Sequence, residues 1–247
     1  GVCHLAGAPL AAMPTNATAM AWGRGVHSQL GIRLDADGEE MKPQPALQTV
    51  PQPALGLPQA ERAVLIATGE TFTVLVTSRG ATYVCGSNGD GELADARNSD
   101  GSMLGMCSRP HRALLKHDIL RVACGARHAI ALSAAGAAFA WGRNSSGQLG
   151  LGHTSAVAKP TEVPRPSSDE GEWLDAAAGA AHSLGSFRRA GDERAHVYSW
   201  GEGAGGCLGH GDATPSRGRL AGKLDRFTPT EVAALRARSA GCVQLAS

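Results

Sequence analysis

The segment Ala140–Gly152, AWGRNSSGQLGLG, decides the fold. It carries one Trp, a cluster of turn-forming Gly, Asn and Ser, and no catalytic group. Close copies stand at Ala21–Ile32 (AWGRGVHSQLGI) and Ser199–Gly211 (SWGEGAGGCLGHG). A looser copy, VCGSNGDGELAD, spans Val84–Asp95. A catalytic motif is needed once per site, whereas a motif spaced along the chain marks repeated architecture.

Aligning the glycines upstream exposes the rest of the unit. Lead glycines Gly7, Gly69, Gly125, Gly179 and Gly241 are separated by 62, 56, 54 and 62 residues. An aromatic anchor follows at Trp22, Trp141 and Trp200, with Cys85 in its place in the second unit. The third anchor is a G-x-L-G-like turn: Ser28–Gly31, Gly91–Ala94, Gly147–Gly150 and Gly206–Gly209. The approximate units are 1–50, 51–110, 111–165 and 166–232, with the opening of a fifth at 233–247.

Each unit has a physical reading. A short apolar run such as Ala129–Ser133 meets a small turn, Ala134–Gly136, and then a second run, Ala137–Trp141. Two short runs about a tight turn predict a β-hairpin. The Gly-rich turn after the Trp reverses the chain again. A linker then delivers another extended piece, marked by the same word, PTEV, at Pro160–Val163 and Pro229–Val232. Small residues beside the lead glycines (Ala67, Ala123, Ala177, Ala240) fit strands packed closely near a central axis. A unit of this length is too long for a helix pair and suits one four-stranded propeller blade.

A glycine, a His three positions later, two strands ending in W-G, then N-x-x-G-Q-L-G: this pattern resembles the regulator of chromosome condensation repeat. The fullest copy is Gly125, His128, Trp141-Gly142, Asn144 and Gly147–Gly150. The resemblance covers essentially the whole chain. It implies an all-β fold, a β-propeller of that family, usually seven-bladed, with about four blades and the start of a fifth present here. The sequence departs from the pattern at the His position, which holds Leu10, Phe72, His128, His182 and Gln244 in turn. A propeller closes by pairing its last blade with its first, because an open sheet edge invites aggregation. Four units and a fraction therefore imply further sequence beyond Ser247, before Gly1 or both, or a partner that covers the open edges.

Composition narrows the function classes. The formal net charge of the 247-residue chain is +1, so nothing in the balance calls for nucleic acid or an acidic membrane. No stretch approaches the roughly 18 consecutive apolar residues of a membrane helix. The six cysteines form no C-x-x-C pair, which leaves zinc without its usual ligand spacing. Unpaired, mostly buried thiols in a reducing, intracellular compartment are expected. No cofactor or metal is expected. SNGDGE (Ser87–Glu92) has a faint calcium-loop pattern but is the repeat's own turn, NSDG (Asn98–Gly101) has no clear acid to finish such a loop, and the Gly-rich turns lack the Gly-Lys-Ser/Thr of a phosphate loop. No nucleophile–base pair is supported by the spacing, so the chain is read as a non-enzyme.

His128 and His182 recur at repeat positions and are read as semi-buried rings that hydrogen-bond neighbouring strands. Two segments rise above the blade pattern. RRAGDERA (Arg188–Ala195) lengthens the fourth hairpin, and its charged residues Arg188, Arg189, Asp192, Glu193 and Arg194 form the candidate partner-binding loop. The Pro-rich stretch Lys42–Pro58 reads as extended backbone that wraps a neighbouring blade, presents a peptide to another protein or makes a simple surface crossover. The leading functional reading is a protein–protein interaction scaffold within a large assembly. The runner-up is a guanine nucleotide exchange factor or other small-GTPase regulator. Family members that open a GTPase use a projecting hairpin with acidic and polar residues, whereas Arg188–Ala195 is short and Arg-rich, and no other hairpin reads as much longer. Chromatin binding ranks third, for want of a basic tail.

Overall fold

The computed structural model describes residues 20–24, 27, 47–53, 61–113, 115, 118–166, 170–211 and 224–236. Apart from a 3-10 turn at Ala204–Gly206 and a four-residue helix, α1 (Ala233–Arg236), its regular structure is β. The first sheet pairs β1 (Met20–Arg24) with β2 (Leu47–Pro53). The second contains β3 (Ala63–Thr68), β4 (Phe72–Thr77), β5 (Thr82–Ser87) and β6 (Met106–Arg112). The third holds β7 (Ile119–Cys124), β8 (His128–Ser133), β9 (Ala138–Gly142) and β10 (Val157–Glu162). The fourth holds β11 (Gly171–Ala178), β12 (His182–Arg189), β13 (Ala195–Gly201) and β14 (Arg226–Glu231). Every pairing is antiparallel between sequence neighbours, so each sheet is a simple meander, a propeller blade. Gly7, Leu10, Gly241, Gln244 and most of the fifth unit lie outside the described residues.

Blades stack through both faces of their middle strands. Along β8 the side chains alternate: Ala129 and Ala131 pack with Phe72, Val74 and Val76 of the second sheet. Ile130 and Leu132 pack with Trp173, Phe187, Tyr198 and Trp200 of the fourth. Period-2 geometry sends neighbours to opposite faces, and both faces are dry here, so β8 is buried along its whole length. Within the fourth sheet Trp173 gathers this aromatic face, with edge-on ring contacts to Phe187, Tyr198 and Trp200 at 5.1, 6.0 and 5.7 Å.

The lead glycines sit where blades converge. Gly69, Gly125 and Gly179 each donate a backbone hydrogen bond to the carbonyl three residues on, closing the tight loop between the first two strands. Adjacent loops are tied by Glu70 N–H to the Ala126 carbonyl (2.9 Å) and Ala126 N–H to the Ala180 carbonyl (3.3 Å). A Cβ on Gly125 would run into the His128 ring and the Gly179 carbonyl. Close approach of backbones, not φ, demands glycine at this position.

The outermost strands share a device that the sequence repeats only in part. Gln48, Cys107, Val157 and Arg226 each pair with the glycine of the W-G position (Gly23, Gly86, Gly142, Gly201), and the register then shifts. Three residues past each of those four comes a proline: Pro51, Pro110, Pro160 and Pro229. A strand at a sheet edge needs to bond on one side only, so it tolerates proline, and a bulged proline edge resists pairing with other chains. The Pro-rich stretch thus contributes β2, the closing strand of the first sheet, and not a free crossover between Leu47 and Pro53.

Candidate protein-interaction site

The candidate loop is the tip of the β12–β13 hairpin, built on longer strands than its β8–β9 counterpart. Arg188 and Arg189 end β12, and Asp192, Glu193 and Arg194 form the turn. Gly191, with φ of +80°, takes the left-handed step that the turn requires. Asp192 Oδ1 accepts from the Arg194 N–H at 2.9 Å, an Asx turn. Ala190 N–H donates to the Glu170 carbonyl at 2.7 Å and fastens the tip to the chain entering β11.

Side chains then tie the tip to the outer strand. The His196 ring stands between two carboxylates, Asp192 Oδ2 at 2.8 Å and Glu231 Oε1 at 3.0 Å. Arg189 Nη2 donates to Glu231 Oε2 and to the Tyr198 hydroxyl, both at 3.0 Å. Hydrogen bonding from His196 holds the Asp192 carboxyl below its usual range. Arg188 pairs with Glu172 of β11 in a more exposed contact. Beside this frame lies a shallow depression of about 440 Å³, lined by Arg165, Glu170, Glu172, Arg188, Arg189 and Asp192 among others. The turn residues Glu193 and Arg194 are exposed. The arrangement makes a braced, charged projection. Sequence reasoning missed Glu172, His196, Tyr198 and Glu231; the one available signal was the Glu of the second PTEV word.

At the opposite end of the blades, the β5–β6 connection makes a second projection that the sequence reading did not contain. Arg97 and Met103 bridge across the turn Asn98–Gly101. Asp100 Oδ1 accepts from both the N–H and the hydroxyl of Ser102, at 2.8 and 2.6 Å, so this carboxylate shapes the turn. Its hydroxyl hydrogen bond with Ser102 lowers the Asp100 pKa.

The two repeat histidines belong to the seams between blades. His128 is fully buried, more deeply than the semi-buried ring expected. Its Nε2 lies 2.9 Å from Ser183 Oγ, and Ser183 Oγ donates to the Gln148 carbonyl at 2.8 Å. The Ser hydrogen is thereby committed, so His128 is the Nε2–H tautomer and donates to Ser183. This Ser–His pair is enclosed and its hydroxyl points at a carbonyl, the wrong polarity for nucleophile activation. Burial drives the His128 pKa down to about 3, with His182 adding to the effect. Burial also lowers His182, which is half-buried, against the opposing pull of Glu202.

The tryptophans bridge the same seams. Trp141 Nε1 donates to the Glu92 carbonyl and Trp200 Nε1 to the Gln148 carbonyl, both at 2.9 Å. Each indole thus grips the G-x-L-G turn of the preceding blade. Trp22 lies on β1. Of the described cysteines, Cys85 and Cys124 are buried, Cys107 is half-buried and Cys207 is exposed, so the expectation of mostly buried thiols holds for only part of the set. Burial pushes the Cys85 thiol up to about 12 and raises Cys124 as well. Among the described residues no group of three or more His, Cys, Asp or Glu is placed to hold a metal ion, and no helix is long and apolar enough to cross a membrane.

Family models for the regulator of chromosome condensation (RCC1) repeat match residues 135–185, 195–247 and 119–148. The chain belongs to the RCC1 repeat family. Its RCC1 repeats are 29% identical over 194 residues to the ultraviolet-B receptor UVR8 of Arabidopsis thaliana, covering 78% of this chain and 39% of that protein. The structure of human WBSCR16 superimposes with a TM-score of 0.64 at 21% identity, covering 86% of this chain and 48% of that one. Prp20p from Saccharomyces cerevisiae gives 0.63 at 24% identity, with coverages of 87% and 46%. These solved structures share the RCC1 propeller fold. The chain spans less than half the length of each of these three relatives.

Proposed function

We propose that this chain is the blade-bearing part of a non-enzymatic protein–protein interaction scaffold that works as a subunit of a larger assembly. The braced charged tip Arg188–Arg194 is its contact. One observation carries the reading: His196, Glu231 and Arg189 hold the tip against β14 while Glu193 and Arg194 stay exposed. Ordering a loop before binding removes an entropic cost of association, and charges on a rigid platform select partners. The polar pair most like a catalytic dyad, His128 and Ser183, is enclosed between blades and serves packing.

The test is native size in gently lysed source cells, followed by immunoprecipitation of wild type and an Arg188→Ala/Glu193→Ala/Arg194→Ala variant. Migration with a large complex, lost in the variant, supports the scaffold. Migration as a free protein of full-length mass overturns it.

The second reading is a regulator of a small GTPase. Prp20p was characterised for binding to Gsp1p and histones. The Arg97–Met103 projection supplies an internally bonded hairpin of the kind that reading requires. Stimulated nucleotide release from a candidate GTPase, lost when residues 98–101 are replaced, would bring this reading forward.

A further inference from the structure

The two complete seams between blades use the same frame with different polar fittings. In both, a Trp indole grips the carbonyl of the preceding G-x-L-G turn. In both, the side chain at the variable turn position accepts a backbone N–H within its own turn: Glu92 Oε2 from Asp90 at 2.7 Å, and Gln148 Oε1 from Ser146 at 2.9 Å. Gln is thus sufficient for the turn. Glu92 adds a negative charge at a site with no solvent exposure.

That charge is met from the next blade. Arg127 Nε donates to Glu92 Oε1 at 3.0 Å, and Arg127 Nη1 reaches Asp90 Oδ2 at 3.0 Å. The residue matching Arg127 in the following unit, two after the lead glycine, is Ala181, and it follows a blade whose turn carries the neutral Gln148. A second pair varies in step. His128 faces Ser183 across the later seam, whereas Phe72 and Ala129 occupy those two repeat positions at the earlier one. Acid goes with cation, neutral amide with Ala, His with Ser, and Phe with Ala.

We propose that these matched pairs are a key that fixes which blade follows which. If the fourth sheet docked on the second, Glu92 would be buried against Ala181 and the Ser183 hydroxyl against the Phe72 ring. A buried carboxylate without a cation and a Ser183 oxygen without its His donor each penalise the wrong neighbour, while the shared Trp grip, the turn carbonyl and the apolar faces do not discriminate. Repeats of similar sequence need such discrimination, since wrong docking between like units is their characteristic failure.

The test compares Arg127→Ala, Glu92→Gln and the double variant in the full-length protein. Arg127→Ala alone should lower the urea midpoint by about 1 M, because it strands a buried charge. The double variant recreates the chemistry of the Gln148–Ala181 seam and should regain most of that loss. Its yield of native protein on refolding from urea, followed by tryptophan fluorescence and gel filtration, should nevertheless fall at least twofold below wild type. Additive losses in the double variant would show that Arg127 does not serve Glu92. A double variant that refolds as completely as wild type would show that the pair does not guide docking. Either result overturns the proposal.

Discussion

His128 Nε2 donates a 2.9 Å hydrogen bond to the Ser183 hydroxyl across the seam between the third and fourth sheets. The buried ring is neutral in the folded protein, with a pKa near 3 in place of 6.5. Between those values the unfolded chain binds a proton that the folded one refuses. Stability is therefore full above about pH 6.5 and is lost as pH falls toward 3, by on the order of a few kcal/mol. Urea midpoints at pH 7 and pH 4.5 should show this slope. The His128→Phe/Ser183→Ala variant, which copies the Phe72–Ala129 arrangement, should flatten it, leaving the smaller contribution of His182.

The two bridging tryptophans should respond unequally to Phe substitution. The Gln148 carbonyl keeps the Ser183 hydroxyl when Trp200 loses its N–H. The Glu92 carbonyl has only the Trp141 indole as a side-chain donor among the described residues. Trp141→Phe should cost about 1–3 kcal/mol for a stranded buried acceptor and Trp200→Phe about 1 kcal/mol or less beyond the shared packing loss. Equilibrium denaturation of both variants checks the order.

Two adjacent arginines should separate stability from recognition. Arg188 is 46% exposed in its pair with Glu172, so Arg188→Ala should change stability by less than about 0.5 kcal/mol. Arg189 links β12 to Tyr198 and Glu231, and its loss should loosen the tip. Amide exchange at Ala190–Ala195 should accelerate in Arg189→Ala and stay near wild type in Arg188→Ala.

Gly142→Ala should destabilise by about 2 kcal/mol or more. Its φ of +100° is strained for any L side chain, and the new Cβ would meet the His128 Cα at 2.9 Å as well as the Arg127 carbonyl. Thermal unfolding would register the loss as a fall in Tm of several degrees.

The middle strands of each blade were legible because β4–β5 and β8–β9 are short apolar runs about a small turn. Outer strands were harder. In β6 and β10 most side chains are exposed or half-buried, so no apolar alternation announces them. Only the verbal repeat PTEV gave two of the four away. Of the seams, only the bonding of a repeat histidine to a neighbouring strand was legible. That Trp141 seeks the Glu92 carbonyl, or that Arg127 answers Glu92 across 35 residues, follows from how blades stack and leaves no local pattern. The candidate loop was visible as a charged insertion, but its bracing by His196 and Glu231 depends on the register of β13 with β14.

The outer prolines also bear on how the chain tolerates length. From the W-G glycine to the edge proline the spacing runs 28, 24, 18 and 28 residues, yet each proline arrives at the same register. Docking of the fourth strand is set by its own pairing and not by the tether that delivers it. Closing a longer tether costs only logarithmically more entropy. The segment between turn and edge strand is therefore where new sequence can be spliced into a blade at least cost to its fold, by evolution or by an engineer.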